Sequence, residues 1–188
     1  MNTAKSEHHF SPQQLSSEEK DIKRAKKDLK HFNVLYDRYY VRIFQYIYQR
    51  VQTESQAADI TSETFIKAME NLPNYKFMGV PFASWLFRIA RNEVYLQHKQ
   101  NKNVRQVNYS TENVADIAEE INEDAPNKTD ILIKAITQLT DEETELIEMK
   151  YFEKRSYAEI GSILKMTANN AKVKTFRVVQ KLKTFIKS

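Results

Sequence analysis

SYAEIGSILKMTANNAKVKTFRVVQKLKTFI, Ser156–Ile186, is the stretch whose reading decides the fold. It encodes two amphipathic helices with almost nothing between them. Ser156 can cap the first, and Glu159 follows at capping-box spacing. Ile160, Ile163 and Leu164 give that helix one apolar face. Lys165-Met166 makes a short turn and Thr167 can cap the second helix. There Ala171, Thr175, Val178, Val179, Leu182, Phe185 and Ile186 recur at three- and four-residue steps and form a buried stripe. The opposite arc carries Lys172, Val173, Phe176, Arg177 and Gln180, with Lys174, Lys181 and Lys183 on its shoulders. From Gly161 to Ser188 there are seven Lys/Arg and no acid. A solvated basic helix in a bundle would account for the charge alone. The capped first helix, the short turn and the missing acids favour a helix-turn-helix made to enter a major groove.

The whole chain sets wider bounds. With 188 residues it suits one large or two small domains, and two Gly, four Pro and long helical spacings predict an all-α protein. The formal charge is only +4, so its uneven distribution matters more than its sum. No Cys means no disulfide and no thiolate metal site, which fits a reducing cytoplasm. His8, His9, His31 and His98 lack metal-ligand spacing. No apolar run is long enough to cross a bilayer, and the polar N-terminus does not read as a signal peptide. There is no Gly-rich phosphate loop and no His–carboxylate constellation, so neither an enzyme nor a cofactor is expected.

Residues 1–25 are polar and read as a disordered N-terminal tail, Met1–Ser17 above all, while mixed-charge Lys20–Lys30 can begin a helix. The first domain is placed at 26–105. Phe32, Leu35, Tyr36, Tyr39, Ile43, Tyr46, Ile47 and Val51 give a helix with a wide buried face. Thr53 or Ser55 caps a second helix, to Leu72, with Ala58, Thr61, Phe65, Ala68, Met69 and Leu72 inward. Asp59 and Glu63 lie four apart on its outer face, with Ser62 and Ile66 beside them. Like charges at that spacing cost a few tenths of a kcal/mol, which solubility or a cationic partner can offset. Pro73 ends the helix. The loop Asn74–Pro81 shows Tyr75 and Phe77, which suit either stacking on unpaired bases or plugging the bundle end. A third long helix starts at Phe82 and buries Phe82, Trp85, Leu86, Ile89 and Ala90, and its far end turns basic. Residues 106–130 hold seven acids against one Lys and read as a flexible acidic linker. The second domain is placed at 131–188. Thr129 or Asp130 caps a segment with Ile131, Ile133, Ala135 and Ile136. Thr140 and Glu143 form another capping box, ahead of Leu146, Ile147, Met149, Tyr151 and Phe152.

Several strings now carry a resemblance. Ala58–Ala68 (ADITSETFIKA) looks like the second conserved region of bacterial sigma factors. Phe82–Asn92 (FASWLFRIARN) looks like the promoter-melting part of that region in the extracytoplasmic-function (ECF) group, and Leu139–Leu182 is similar to the group's fourth region. The resemblance covers about 32–99 and 131–186. It implies a promoter-specificity subunit of RNA polymerase, not an enzyme, with two helical domains. By resemblance, Asp59, Ser62, Glu63 and Ile66 meet the clamp helices of the polymerase core, with Phe65 supporting them. Tyr75, with Phe77 beside it, and Asn92 would hold a flipped base of the melted minus-ten element, while Arg88 and Arg91 track phosphates. An unpaired base exposes its Watson–Crick edge only after melting, so reading it helps drive opening. Asn169, Asn170, Lys172, Val173, Phe176 and Arg177, with Lys174 beside them, match the part that faces minus-thirty-five DNA. This domain would also touch the polymerase flap. The acidic linker would thread toward the RNA exit path. An anti-sigma partner is open. The departures from the family are Leu96 where Asp is frequent, Ser62 for Gln, His98-Lys99 for a basic pair, and Lys165 where Gly is usual. Lys165 would place a non-Gly residue at positive φ. Val173 and Phe176 are apolar for a groove face and could meet thymine methyls or protein. The alternative function is a stand-alone helix-turn-helix regulator that binds duplex operator DNA without polymerase.

Overall fold

In the computed structural model, residues 10–101, Ile117 and 128–187 are described, and their regular structure is all helical. The chain divides into two compact units, one of residues 10–107 and one holding the C-terminal part from residue 108.

The N-terminal unit begins with helix α1, Pro12–Lys27, where a disordered tail is expected from composition. That expectation is corrected for these residues; 1–9 lie outside the described ones. A local signal and a tertiary one explain the helix. Ser11 and Gln14 close a capping box with Pro at the first turn. Ile22 and Ala25 are buried, and so is the carboxylate of Glu18. A short 3₁₀ turn, Leu29–Phe32, leads to α2, Asn33–Tyr48. Leu35, Tyr39, Ile43, Tyr46 and Ile47 are its buried face, whereas Tyr36 stays exposed. Helix α3, Glu54–Asn71, is capped by Thr53, whose hydroxyl accepts from the Gln56 N–H at 3.2 Å. Ala57, Ile60, Thr61, Thr64, Phe65 and Ala68 are its buried residues, while Ala58 and Met69 are only half-buried. A 3₁₀ turn at Leu72–Asn74 follows, and α4 runs Phe82–Asn101. Phe82 is the meeting point. Its ring lies 6.4 Å from Phe32, 6.3 Å from Tyr39 and 5.2 Å from Trp85. Phe32 is also edge-on to Phe65. Burying each such ring contributes about 1.5–3 kcal/mol. Phe87 is buried on α4, and Ile89 only half so.

In the C-terminal unit, α5 is Lys128–Ile136, starting before the expected cap; Ile117 is helical and buried, and the rest of 106–127 lies outside the described residues. Leu132, Ala135 and Ile136 face inward, while Ile131 is exposed. Helix α6, Asp141–Ile147, starts at the Thr140–Glu143 capping box and continues as a π turn over Glu148–Phe152. Helix α7, Tyr157–Leu164, starts at the Ser156–Glu159 box. Helix α8, Ala168–Lys187, starts at Thr167, whose hydroxyl accepts from the Asn170 N–H at 3.1 Å. Ala171, Thr175, Val178, Val179 and Leu182 are buried along α8, with Phe185 and Ile186 half-buried. The turn between α7 and α8 is set by two residues. Lys165 sits at φ 57°, ψ 46°, the left-handed conformation its position requires. Gly161 lies so close to the turn that a Cβ there would come 2.6 Å from the Met166 carbonyl oxygen.

Gly161→Ala should therefore destabilise the C-terminal unit by about 1–3 kcal/mol, read as a lower urea midpoint. Lys165→Gly should stabilise it by about 0.5–1 kcal/mol, because Gly has no Cβ penalty at positive φ. Equal midpoints for wild type and Gly161→Ala would mean that the turn yields to the methyl group.

Candidate functional site

The expected site residues fall on three surfaces. On α3, Asp59, Ser62 and Glu63 are exposed and Ile66 keeps 45% of its surface. The spacing that puts Asp59 and Glu63 on one outer face is therefore seen. A cleft of about 400 Å³ opens beside them, lined by Asp59, Ile60, Glu63 and Lys67 of α3 and Glu93, Leu96 and Gln97 of α4. Lys67 Nζ lies 3.2 Å from Glu63 and 2.6 Å from Glu93. Glu63 thus has an intramolecular counter-charge, which the like-charge spacing of Asp59 and Glu63 does not disclose. Asp59 makes no ion pair among the described residues, so it is the carboxylate left to face solvent or a partner. The three carboxylates with one ammonium leave the cleft net acidic, and exposed Leu96 adds an apolar side chain to its lining.

The second surface joins the loop after α3 to α4. Arg88 and Arg91 are half-buried and Asn92 is exposed. Spacings of three and four residues put these three on one side of the helix. Tyr75 departs from its expected exposure. It keeps 9% of its surface, with its ring 5.1 Å from Phe82 and 4.7 Å from Trp85. Burial pushes its phenol pKa up, Glu18 adds to that, and the Arg88 charge opposes it. Apolar neighbours win because the loop folds back over the start of α4. Phe77 is half-buried.

The third surface is the outer arc of α8. Asn169, Asn170, Lys172 and Arg177 are exposed, Val173 keeps 38% and Phe176 60% of its surface. Lys174 differs from the others. Its Nζ lies 2.5 Å from Glu142 of α6, so its charge is already engaged within the unit. Lys181 is likewise bound by Glu143 at 2.8 Å. The pairing of Glu142 and Glu143 with this helix is not legible in the sequence, because no short-range pattern ties α6 to α8. Two more such pairings involve α1. Glu18 accepts from the Phe82 N–H at 2.7 Å, and Lys26 donates to the Tyr75 carbonyl at 2.5 Å. The Ser11-x-x-Gln14 box was the signal that could have found this helix. Among the described residues no group of three or more His, Cys, Asp or Glu is placed to hold a metal ion, and no helix is long and apolar enough to cross a membrane.

Known proteins carry the same two units. Residues 35–104 match the sequence model of Sigma-70 region 2, and 129–182 match that of Sigma-70 region 4. The ECF RNA polymerase sigma factor SigW of Bacillus subtilis (strain 168) is 30% identical over 173 residues, 84% of this chain and 90% of SigW. The chain belongs to the ECF sigma factors. Another relative of this sigma factor is BldN of Streptomyces coelicolor, 29% identical over 154 residues. That match takes in 80% of this chain but only 58% of BldN. In fold it is similar to CnrH, solved in complex with the cytosolic domain of CnrY, with a TM-score of 0.61, 18% identity, and coverage of 91% of this chain and 97% of CnrH. A stand-alone regulator would have no use for a region 2 unit, so membership of this family sets that alternative aside.

In this sigma factor the α6–α8 contact carries a pH dependence. Burial works to raise the Glu143 pKa, but hydrogen bonds from Lys181 and the Thr140 N–H prevail and hold it below its ordinary value of 4.5. A carboxylate depressed in the folded state lends stability above its unfolded pKa and loses it as pH falls through the folded one. The thermal midpoint should thus fall as the pH drops below 4.5, and less steeply in Glu143→Gln, which can still close the capping box. Parallel pH profiles for the two proteins would count against the assignment.

Proposed function

We propose that this chain docks core RNA polymerase through the acidic face of α3, reads a melted minus-ten strand with the loop after α3 and with α4, and reads the minus-thirty-five duplex with α8. Sigma factors are not enzymes; they bring core polymerase to promoters, and membership of the family gives this chain that task. The division among residues is our reading. Asp59 and Glu63 line the α3–α4 cleft, Ser62 and Ile66 stand exposed on α3, and together they suit a partner with cationic and apolar groups. Arg88 and Arg91 would run along phosphates and Asn92 would bond a base edge, with the ring of Tyr75 as a floor and Phe77 at its side. Asn169, Asn170, Lys172, Val173, Phe176 and Arg177 would enter the major groove. Phe176 and Val173 suit thymine methyls, and Lys174 would grip phosphate only after leaving Glu142. The C-terminal unit would also rest on the polymerase flap. Of the segment proposed to thread toward the RNA exit path, only Ile117 and 128–130 are among the described residues. An anti-sigma factor would compete for the same surfaces; CnrH, similar in fold, was solved in complex with a partner's cytosolic domain.

The observation that carries this reading is the outer arc of α8, where apolar and cationic side chains stand exposed on the second helix of a tight helix-turn-helix. Reconstitution tests it. The chain should co-purify with core polymerase and support run-off RNA from chosen fragments of a promoter library. Failure to bind core at low salt would remove the proposal. Asp59→Lys should weaken core binding with the fold intact; unchanged affinity would clear Asp59 of that role. Arg177→Ala should weaken promoter binding by about 1–3 kcal/mol, selectively if it reads a base and evenly over all sequences if it holds phosphate.

A further inference from the structure

We propose that α1 is a strut for the loop between α3 and α4: Lys26 pins one end of the loop, Glu18 pins the other, and together they set where Tyr75 stands for a melted strand. The proposal rests on the reading above that this loop meets single-stranded DNA.

Lys26 Nζ donates to the Pro73 carbonyl at 3.1 Å and to the Tyr75 carbonyl at 2.5 Å. Both oxygens belong to the exit from α3, where the 3₁₀ turn ends and the extended chain begins at Tyr75. At the far end, Glu18 Oε2 accepts the Phe82 N–H at 2.7 Å. That N–H opens α4 and has no carbonyl within its own helix to bond, and a carboxylate there also meets the positive end of the helix dipole. Glu18 and Lys26 are eight residues apart on one rigid helix, roughly 12 Å along its axis. A single element therefore grips both ends of a loop that lacks helical ladder bonds of its own.

The chemistry of Glu18 argues for a specific tie. The residue has no exposed surface. Burying a carboxylate costs more than burying an apolar group of the same size, and it is repaid only by well-placed partners. Three such partners are present, although burial still holds the Glu18 pKa above its ordinary value. Tyr39 donates its hydroxyl, Phe82 its N–H, and Arg38 Nη1 lies 3.8 Å away while Nη2 holds Asp21 at 2.8 Å. An apolar side chain would fill the site but would leave the first turn of α4 unheld. The consequence reaches the candidate reader. The Tyr75 ring packs on Phe82 and Trp85, so its position follows from backbone that Lys26 holds on one side and Glu18 on the other.

The test uses the full chain with two readouts. Hydrogen exchange of the free protein reads the strut itself. Affinity of the core-polymerase complex for a single strand, selected by the wild-type complex from a random pool, reads its consequence. Lys26→Met should speed exchange of the hydrogen-bonded Tyr75 and Phe82 amides about tenfold, leaving α2 and α3 amides and core affinity unchanged. It should weaken the selected strand by a similar factor, and Lys26→Arg should restore both. Glu18→Ala can unfold the unit, so Lys26, an exposed residue, is the deciding position. Unchanged loop exchange in Lys26→Met overturns the strut. Faster exchange with unchanged strand affinity overturns its role in recognition. A wild-type complex that binds core but selects no strand defeats the reading beneath the proposal, and the exchange result shows that failure to be separate from the first.

Discussion

The N-terminal unit is organised around Phe82. Its N–H ends on the buried carboxylate of Glu18, and its ring is in contact with Phe32, Tyr39, Tyr75 and Trp85. One residue thus joins the start of α4 to α1, α2 and the loop after α3. That junction has a polar and an apolar half, and each depends on the other. The rings exclude water and so strengthen the carboxylate's hydrogen bonds, while those bonds fix the rotation of α4 that brings the rings together. The surfaces assigned to polymerase and to the minus-ten strand both lie on elements this junction orients.

The C-terminal unit solves a different problem. A helix proposed to meet DNA must show cations on one side and still pack on the other. Helix α8 buries Ala171, Thr175, Val178, Val179 and Leu182 and leaves Lys172, Phe176 and Arg177 outside. Lysines on its shoulders are tied by Glu142 and Glu143. These exposed pairs add little stability by themselves. They do lower the field beside the arc, so its positive charge is concentrated at Lys172 and Arg177 along the middle.

Local signals were legible. Ser156 with Glu159, Thr140 with Glu143, Thr167, and the periodic stripe of α8 each act within one or two helical turns, and all appear as read. The positive φ at Lys165 follows in the same way, since a tight turn after α7 leaves its backbone little choice. The same logic failed where composition replaced pattern. The polar stretch ahead of residue 25 holds a helix because the Ser11–Gln14 box starts it and buried Ile22, Ala25 and Glu18 anchor it, and hydropathy counts Glu18 as a mark of disorder.

The sequence by itself therefore determined the all-α class, the helix-turn-helix with its caps, and the outward placement of Asp59, Glu63, Lys172 and Arg177, because these depend on neighbours three or four positions away. Only the tertiary structure decided that Tyr75 is covered by Phe82 and Trp85, that Lys67 bridges Glu63 to Glu93, that Lys174 is held by Glu142, and that α1 grips the loop. Each of those contacts pairs residues from different elements, and the energy of such a contact exists only once packing has brought the two segments together.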